Sequence, residues 1–409
     1  MAWRTEMNLA NGRYGMIDIA SGETVVHDLD EDYTKGPSSM LSRIDRAVSD
    51  AGGDAMVLAS GLLTGSLVPA ACAGFVRLPR SGSELERMCP LLGFAGVELK
   101  LSGFDFVVVK GEAAQHGYIW VRDGLLEFVE SQDMVRMDSW ERTDAIRSEQ
   151  GDRKIQVMST GPWAESWPAA SQLVINYWAG EDKIACAGEF GRRKLMAVAV
   201  RGMGELELSD ADAHFDASQE LFDSQIAAMG ENSGLASYTR IAAADGLVEL
   251  LHRNVSCYGC PFPCRSYYKV FEDPSVHSLG EEEPGYLLYD IPAIERFSSM
   301  GMNPRDAVTA LLRCSRFGAE PLAVAETIVR NGSGADLDAV TKLLESGGPA
   351  EPPDDICVEG FARPFEDPGD YVACLALGLC PRYWAKAGLD REAIAKVSAP
   401  ASGNALGLL

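Results

Sequence analysis

The sequence predicts an α+β fold, with a β-rich N-terminal domain over residues 1–208 and a mostly α-helical domain over residues 209–409. Two observations predict it. Short runs of β-branched and aromatic residues, separated by turn residues, fill the first half of the chain. Near Leu208 the pattern changes, and apolar residues then recur at the spacing of amphipathic helices. Strands followed by helices, rather than strands alternating with helices, indicate an α+β protein.

The first predicted element is a β-hairpin. Residues 13–19 (RYGMIDI) and 23–29 (ETVVHDL) have strand composition and are joined by a short turn of small residues. Farther along, residues 104–130 (FDFVVVKG, GYIWVRDG and LLEFVE) predict three successive antiparallel strands. Between these regions, residues 83–100 carry apolar side chains at helical spacing and predict a helix.

The second half is predicted to be helical. Residues 209–212 (SDAD) are rich in helix N-cap residues and precede an amphipathic segment. Further helices are predicted over residues 245–253, 285–300, 306–317 and 321–329. We find no internal repeat in the sequence.

The composition is that of an ordinary globular protein. Of 409 residues, 46% are hydrophobic and 23% are charged, which argues against a disordered or fibrous chain. The formal net charge of −24 disfavours binding to nucleic acid or to anionic membranes. So acidic a surface would suit a basic or amphipathic protein partner, or serve solubility alone.

We expect a cytoplasmic protein. No run approaches the ~18 consecutive apolar residues that a membrane span needs. Residues 1–20 lack the charged, apolar and small-residue regions of a secretory signal. The ten cysteines of such a chain are expected to be metal ligands or free core thiols before disulfides.

Three cysteines form a compact C-x2-C-x3-C cluster. They are Cys257, Cys260 and Cys264, in the sequence CYGCPFPC. The short spacings let one loop wrap a single metal centre, and the prolines stiffen that loop. We expect an iron–sulfur cluster here. A zinc site and unliganded thiols are the alternatives.

A four-iron cluster normally requires a fourth ligand. Spacing alone does not choose between the downstream candidates, which are Cys314, Cys357, Cys374 and Cys380. The cysteines of the β-rich half are interpreted as small apolar core residues. These are Cys72, Cys89 and Cys186.

Segments along most of the chain share one resemblance, and they are NGRYGMIDIASGETVVHDLDEDY, LASGLLTGSLVPA, GFAGVELKLSGFDFVVVKGEA, MSTGPWAES, LMAVAVRG, CYGCPFPC, GEEEPGY and ALGLC. Together they resemble the tungsten-containing aldehyde ferredoxin oxidoreductase family. The resemblance implies a β-rich domain that cradles a tungsten bis-pterin cofactor, helical domains that close over it, and a nearby four-iron cluster. It also implies aldehyde oxidation with ferredoxin as the electron acceptor. ALGLC resembles the family's D-x-x-GLC segment, which implies that Cys380 is the fourth cluster ligand.

The chain departs from the family where the family holds its pterins. Ser298 and Leu375 stand where the two D-x-x-GL motifs have aspartates, which accept hydrogen bonds from the pterins. Gly285 replaces an acidic residue of the EGPEYE motif, and the Gly-rich stretch is shortened to CAGEFGRRK at residues 186–194. The chain is also shorter than typical members and lacks their catalytic histidine region, so no catalytic residue is assigned.

These observations predict an iron–sulfur electron-transfer subunit of an anaerobic redox complex, with a degenerate tungstopterin site. Other redox subunits or ferredoxin are the expected partners, because no nicotinamide or flavin fingerprint is present. A homo-oligomer is a further assembly compatible with the sequence. The alternatives are an active tungsten or molybdenum bis-pterin oxidoreductase and a structural subunit whose cysteines bind zinc.

Overall fold

The computed structural model of the protein describes residues 9–79, 87–179, 182–230, 246–268, 286–288, 291–332, 336–348, 365 and 367–402. In this part of the chain, two six-stranded sheets occupy the N-terminal half, and helices with one small sheet follow. The predicted α+β fold class is confirmed.

The strands are numbered in chain order. They are β1 (Arg13–Asp18), β2 (Glu23–Asp28), β3 (Ala55–Ser60), β4 (Gly74–Arg77), β5 (Met88–Leu91), β6 (Phe106–Lys110), β7 (Gly117–Arg122), β8 (Leu125–Glu130), β9 (Gln156–Ser159), β10 (Val174–Ile175), β11 (Trp178–Ala179), β12 (Leu195–Arg201), β13 (Leu251–Val255), β14 (Arg265–Tyr268) and β15 (Tyr286–Leu288).

The α-helices are α1 (Pro37–Asp50), α2 (Ala95–Leu101), α3 (Ser139–Gln150), α4 (Trp163–Ser166), α5 (Cys186–Arg192), α6 (Ala211–Met229), α7 (Ile291–Ser299), α8 (Pro304–Phe317), α9 (Pro321–Arg330), α10 (Leu337–Glu345), α11 (Pro368–Leu377), α12 (Pro381–Ala387) and α13 (Arg391–Ser402).

The two large sheets share one topology. The first has the strand order β2-β1-β6-β3-β4-β5, and the second, read from its opposite edge, has the order β8-β7-β12-β9-β10-β11. In each sheet the first strand of a hairpin pairs in parallel with the last strand of the unit. All other neighbours in the two sheets are antiparallel. The N-terminal half is therefore a structural duplication, and the expectation of no internal repeat is wrong at the level of the fold.

Four local predictions need correction, one of them the helix over residues 285–300, where Tyr286–Leu288 form strand β15 and the helix begins at Ile291. The hairpins β1–β2 and β7–β8 form as expected, but β6 pairs with β1 and β3 and not with β7. Its four valine and phenylalanine residues are all buried, as in a central strand covered on both faces. Residues 88–91 and 251–255 are strands and not helices, because pairing with β4 and β14 overrides their local pattern.

The apolar cores join the two halves of the chain. One core lies between the two sheets and includes Met56 and Met158. Another packs sheet residues such as Phe106 against Leu375 and Trp384 of the C-terminal helices. The predicted boundary after residue 208 is therefore crossed by shared packing, and it stays a prediction. Among the described helices, none is long and apolar enough to span a membrane.

Candidate metal centre

The cysteine loop connects β13 to β14. Gly259 adopts a left-handed conformation with φ of +56°, which a glycine tolerates without strain. The backbone N–H of Cys260 donates to the carbonyl of Cys257 at 3.2 Å, and that of Cys264 donates to the carbonyl of Phe262 at 2.9 Å. These short-range bonds fold the loop into a compact turn that presents its thiols together.

Cys380 reaches the same place from a different part of the chain. Helix α11 ends at Gly378, whose φ of +84° turns the chain sharply, and Cys380 precedes the first residue of α12. One pocket is lined by the four predicted ligands together with apolar and basic neighbours. Its lining residues are Leu92, Cys257, Cys260, Phe262, Cys264, Arg265, Cys380, Arg382 and Tyr383.

A fifth cysteine adjoins this pocket. Cys72, in the loop between β3 and β4, is fully buried, and its side chain packs in the same core as those of Cys257 and Cys380. These contacts, together with burial, hold the pKa of the Cys72 thiol well above its ordinary value. The sequence interpretation of Cys72 as a small core residue is confirmed, because it is fully buried in the core that also contains Leu375 and Trp384. No sequence pattern indicated that this core residue lies beside the predicted ligands.

The other candidate ligands lie elsewhere. Cys314 is buried in α8, within the core of helices α7–α10. Cys374 is buried in α11, where its Sγ lies 3.3 Å from the carbonyl oxygen of Leu379, and it does not line the pocket. Cys89 and Cys186 lie in the core between the two sheets. Cys357 lies outside the described residues.

Arginine side chains accompany the thiols. The buried Arg265 guanidinium donates a short hydrogen bond to the Sγ of Cys257. Burial raises the pKa of Cys264 to about 11, and the charges of Arg382 and Arg265 oppose this rise. Burial and the neighbouring cysteines raise the pKa of Cys260. Thiols in such surroundings lose their protons readily only when a metal centre supplies positive charge.

Thiol side chains are donors that both iron–sulfur clusters and structural zinc accept. Within the described residues, no three His, Cys, Asp or Glu side chains converge to hold one metal ion. Structural zinc needs four ligands directed at one point. In a four-iron cluster each thiolate binds a different iron, so the thiols surround a pocket instead. Four cysteines around one pocket satisfy that requirement.

The loop that carries Cys72 lies directly against the segment that carries Cys380. The backbone N–H groups of Leu62 and Leu63 donate to the carbonyls of Ala376 and Leu377 at 2.9 and 2.8 Å. A Cβ atom at Gly61 would lie 2.0 Å from the nitrogen of Gly378. The two backbones are therefore as close as they can be at this point.

The second sheet makes an equivalent contact in its own half. A Cβ atom at Gly161, in the loop that follows β9, would lie 2.1 Å from the carbonyl carbon of Phe317. The N–H of Gln172 donates to the carbonyl of Gly318 at 2.8 Å. Gly318, like Gly378, ends a helix in the left-handed conformation. In each sheet a loop glycine, Gly61 or Gly161, thus packs against the C-terminal end of a helix, α11 or α8.

Comparison with known proteins agrees with this architecture. Residues 16–202 match the model of the aldehyde ferredoxin oxidoreductase N-terminal domain. A tungsten-containing aldehyde ferredoxin oxidoreductase of Thermococcus kodakarensis is 22% identical over 388 residues, and that of Pyrococcus furiosus is 23% identical over 300 residues. The predicted resemblance to the aldehyde ferredoxin oxidoreductase family is confirmed, and residues 16–202 have the N-terminal domain of that family. The two alignments cover 82% and 62% of this chain but only 59% and 48% of the relatives, so the chain matches about half of their length.

The fold of this chain also resembles a solved structure. That structure is the active site complex BamBC of benzoyl coenzyme A reductase in complex with 1,5-dienoyl-CoA. The match has a TM-score of 0.68 at 15% sequence identity, and it covers 90% of this chain and 65% of the other. At this identity the likeness concerns the fold alone.

The residues aligned with the family's pterin motifs do not fit a pterin. Leu375 is fully buried in an apolar core, and Ser298 is exposed on α7. Arg193 is buried and Arg192 is half-exposed, and both guanidinium groups pair with the carboxylates of Asp54 and Glu189. Gly285 lies outside the described residues. In this chain, the aligned side chains thus offer no buried carboxylate and no uncommitted cation to a pterin.

Proposed function

We propose that this chain is an iron–sulfur electron-transfer subunit of an anaerobic redox complex. Cys257, Cys260, Cys264 and Cys380 would each bind one iron of a 4Fe–4S cluster. The observation that carries the proposal is the pocket that these four thiols line together, although they come from two segments far apart in sequence. Such a cluster, when bound, would store and release one electron.

The surroundings of the pocket support this role. Leu92, Phe262 and Tyr383 supply apolar cover, and the rings of Phe262 and Tyr383 stack with centroids 5.5 Å apart. Such cover limits the access of water to a cluster. Arg265 and Arg382 bring positive charge beside thiolates that are otherwise costly to bury. Both features favour a cluster that persists through electron transfer.

We further propose that the chain holds no tungsten or molybdenum bis-pterin. Leu375 has no polar atom to accept a hydrogen bond from a pterin, and Ser298 faces solvent. Each lost hydrogen bond to a charged group costs ~1.5–3 kcal/mol, so two losses weaken binding by about 100-fold or more. The direct contact of residues 61–63 with residues 376–378 also leaves no room for a ligand between those backbones.

The assembly follows from the chemistry of a lone cluster. A lone cluster only stores and passes on electrons, so they would come from and go to other redox subunits or ferredoxin. The net charge of −24 would suit a basic docking surface on the partner. That the structural neighbour is an active site complex, BamBC, supports a role within a complex. We propose a cytoplasmic protein with domains over residues 1–208 and 209–409.

Anaerobic purification with elemental analysis tests the proposal. We expect about four irons and four sulfides per chain and neither tungsten nor molybdenum. The variant Cys380→Ser should lose iron and visible charge-transfer absorbance, whereas Cys314→Ser, which removes a buried thiol elsewhere, should retain both. Zinc in place of iron would refute the cluster. Near-stoichiometric tungsten or molybdenum would instead support an active pterin enzyme.

A further inference from the structure

We infer that Cys72 is an unligated thiol that donates its S–H hydrogen to the cluster ligands Cys257 and Cys380. The inference rests on the proposed function and extends it, because it assigns a residue that tunes the cluster without binding iron. The Cys72 side chain packs in the same buried core as both of these side chains.

The backbone fixes Cys72 in that position. The N–H of Ala70 donates to the carbonyl of Gly259 in the cysteine loop at 3.2 Å. The carbonyl of Ala70 accepts from the N–H of Cys380 at 2.9 Å, and the N–H of Ala73 donates to the carbonyl of Gly378 at 2.8 Å. Residues on both sides of Cys72 are thus bonded to the segments that carry the ligands. Cys72 cannot move away from them without breaking these bonds.

Cys72 is placed to be a donor and not a ligand. A four-iron cluster takes four protein ligands, and the four thiols that line the pocket already provide them. Cys72 does not line the pocket, and it packs in the same core as two of the thiols that do. It is fully buried, so water does not compete for its S–H group. A thiol is a weak donor to neutral groups, and a charged acceptor strengthens the bond.

The duplicated half of the molecule provides an internal comparison. Ala73 bonds to Gly378 as Gln172 bonds to Gly318, and Ala70 bonds to Cys380 as Ala170 bonds to Glu320. Cys380 therefore corresponds to Glu320, and Ser171 stands where the first half has Ala71 and Cys72. In the half without a cysteine loop, both positions carry oxygen side chains. Ser171 donates to the backbone carbonyl of Pro168 at 2.8 Å. Cysteines therefore stand at these places, as Cys72 and Cys380, only in the half that packs against the cysteine loop.

The consequence is a change in reduction potential. Hydrogen bonds to the sulfurs are one of the factors that set the potential of an iron–sulfur cluster. A donor offsets the extra negative charge of the reduced cluster and so favours reduction. The loss of the Cys72 thiol should therefore lower the midpoint potential without removing iron.

The test is a dye-mediated redox titration of the anaerobically purified full chain, followed by electron paramagnetic resonance. Three variants are compared with the parent protein: Cys72→Ala, Cys72→Ser and, as a matched loss of a buried thiol, Cys314→Ala. For Cys72→Ala we expect an unchanged iron content. We also expect a tenfold smaller equilibrium constant for one-electron reduction, which lowers the midpoint potential by about 59 mV. Cys72→Ser keeps a donor and should recover part of the shift, and Cys314→Ala should show none.

Each outcome decides the inference. Loss of iron in Cys72→Ala would make Cys72 a ligand and overturn it. An unchanged potential in Cys72→Ala, or an equal shift in Cys314→Ala, would also overturn it. If the parent protein carries no iron, the proposed function fails. If the parent carries four irons and only the potentials disagree, the role of Cys72 alone fails.

Discussion

Replacement of Gly61 by alanine tests whether the contact between residues 61–63 and residues 376–378 holds Cys380 beside the other three cysteines. The added Cβ would lie 2.0 Å from the nitrogen and 2.2 Å from the Cα of Gly378. An ordinary contact begins near 3.4 Å, so the two backbones must separate by 3.4 − 2.0 = 1.4 Å. No rotamer change relieves this overlap, because the atoms that collide are main-chain atoms.

The cost follows from the bonds that such a separation breaks. The two hydrogen bonds from residues 62 and 63, at 2.9 and 2.8 Å, would exceed 3.5 Å and be lost. Each contributes about 0.5–1.5 kcal/mol, and overpacking adds about 1–3 kcal/mol, for a total of about 2–6 kcal/mol. Because Cys380 lies two residues beyond Gly378, we also expect it to move away from the other three thiols. Cluster occupancy should fall together with stability.

Gly161→Ala is the matched control, since its Cβ would meet the backbone of α8 at 2.1 Å in the other half. The assay combines denaturant unfolding with iron content after anaerobic gel filtration. We expect both variants to be destabilised and only Gly61→Ala to release iron while still folded. If both variants retain iron, or if both lose it in proportion to unfolding, the contact does not position Cys380 and the reasoning is wrong.

Three further perturbations test other parts of the structure. Arg265→Met removes the charge beside Cys257 and should lower the midpoint potential in a redox titration; an unchanged value would contradict this. The His214 ring bonds to the backbone N–H of Leu67 and to the backbone carbonyl of Val397, and burial lowers its pKa below 6.5. Below pH 6.5 the unfolded chain therefore binds a proton that the folded chain does not. The free energy of unfolding should decline as the pH falls through this range. In His214→Gln that decline should disappear from denaturant titrations across the same pH range. Lys183→Met removes the charged group that lies 2.8 Å from the buried carboxylate of Glu320, and it should lower the free energy of unfolding by about 3–5 kcal/mol in denaturant titrations. The double variant Lys183→Met/Glu320→Gln should lose less, because no buried charge is left behind.

Local patterns predicted the elements that depend on local chemistry. The first hairpin follows from its turn and its alternation, and α8 follows from Asn303, whose side chain accepts from the N–H of Asp306 at the start of the helix. Strands β5 and β13 could not be predicted in this way. Their residues are compatible with either state, and pairing with distant strands decides between them.

The cluster loop was visible in the sequence because its three cysteines are close together. The choice of Cys380 came from a family resemblance, and the structure brings it to the same pocket. Cys72 could not be recognised, because its neighbours in space are defined by backbone bonds between segments far apart in the chain. The duplication of the sheets was hidden for a related reason. Topology can persist after side chains have diverged, and only strand order and direction reveal it.

The duplication also suggests why the proposed cluster would lie in one half and not in the other. Equivalent helix ends meet the glycine loops of the two sheets, and the residue two positions beyond each left-handed glycine is buried. In one half that residue is Glu320, whose charge is balanced by Lys183 and which also accepts from the N–H of Ala323 at the start of α9. In the other half it is Cys380, which lies beside three further thiols and the arginines Arg265 and Arg382. Neutral thiols are readily buried, whereas four neighbouring thiolates repel one another, and the iron of a cluster would offset that repulsion.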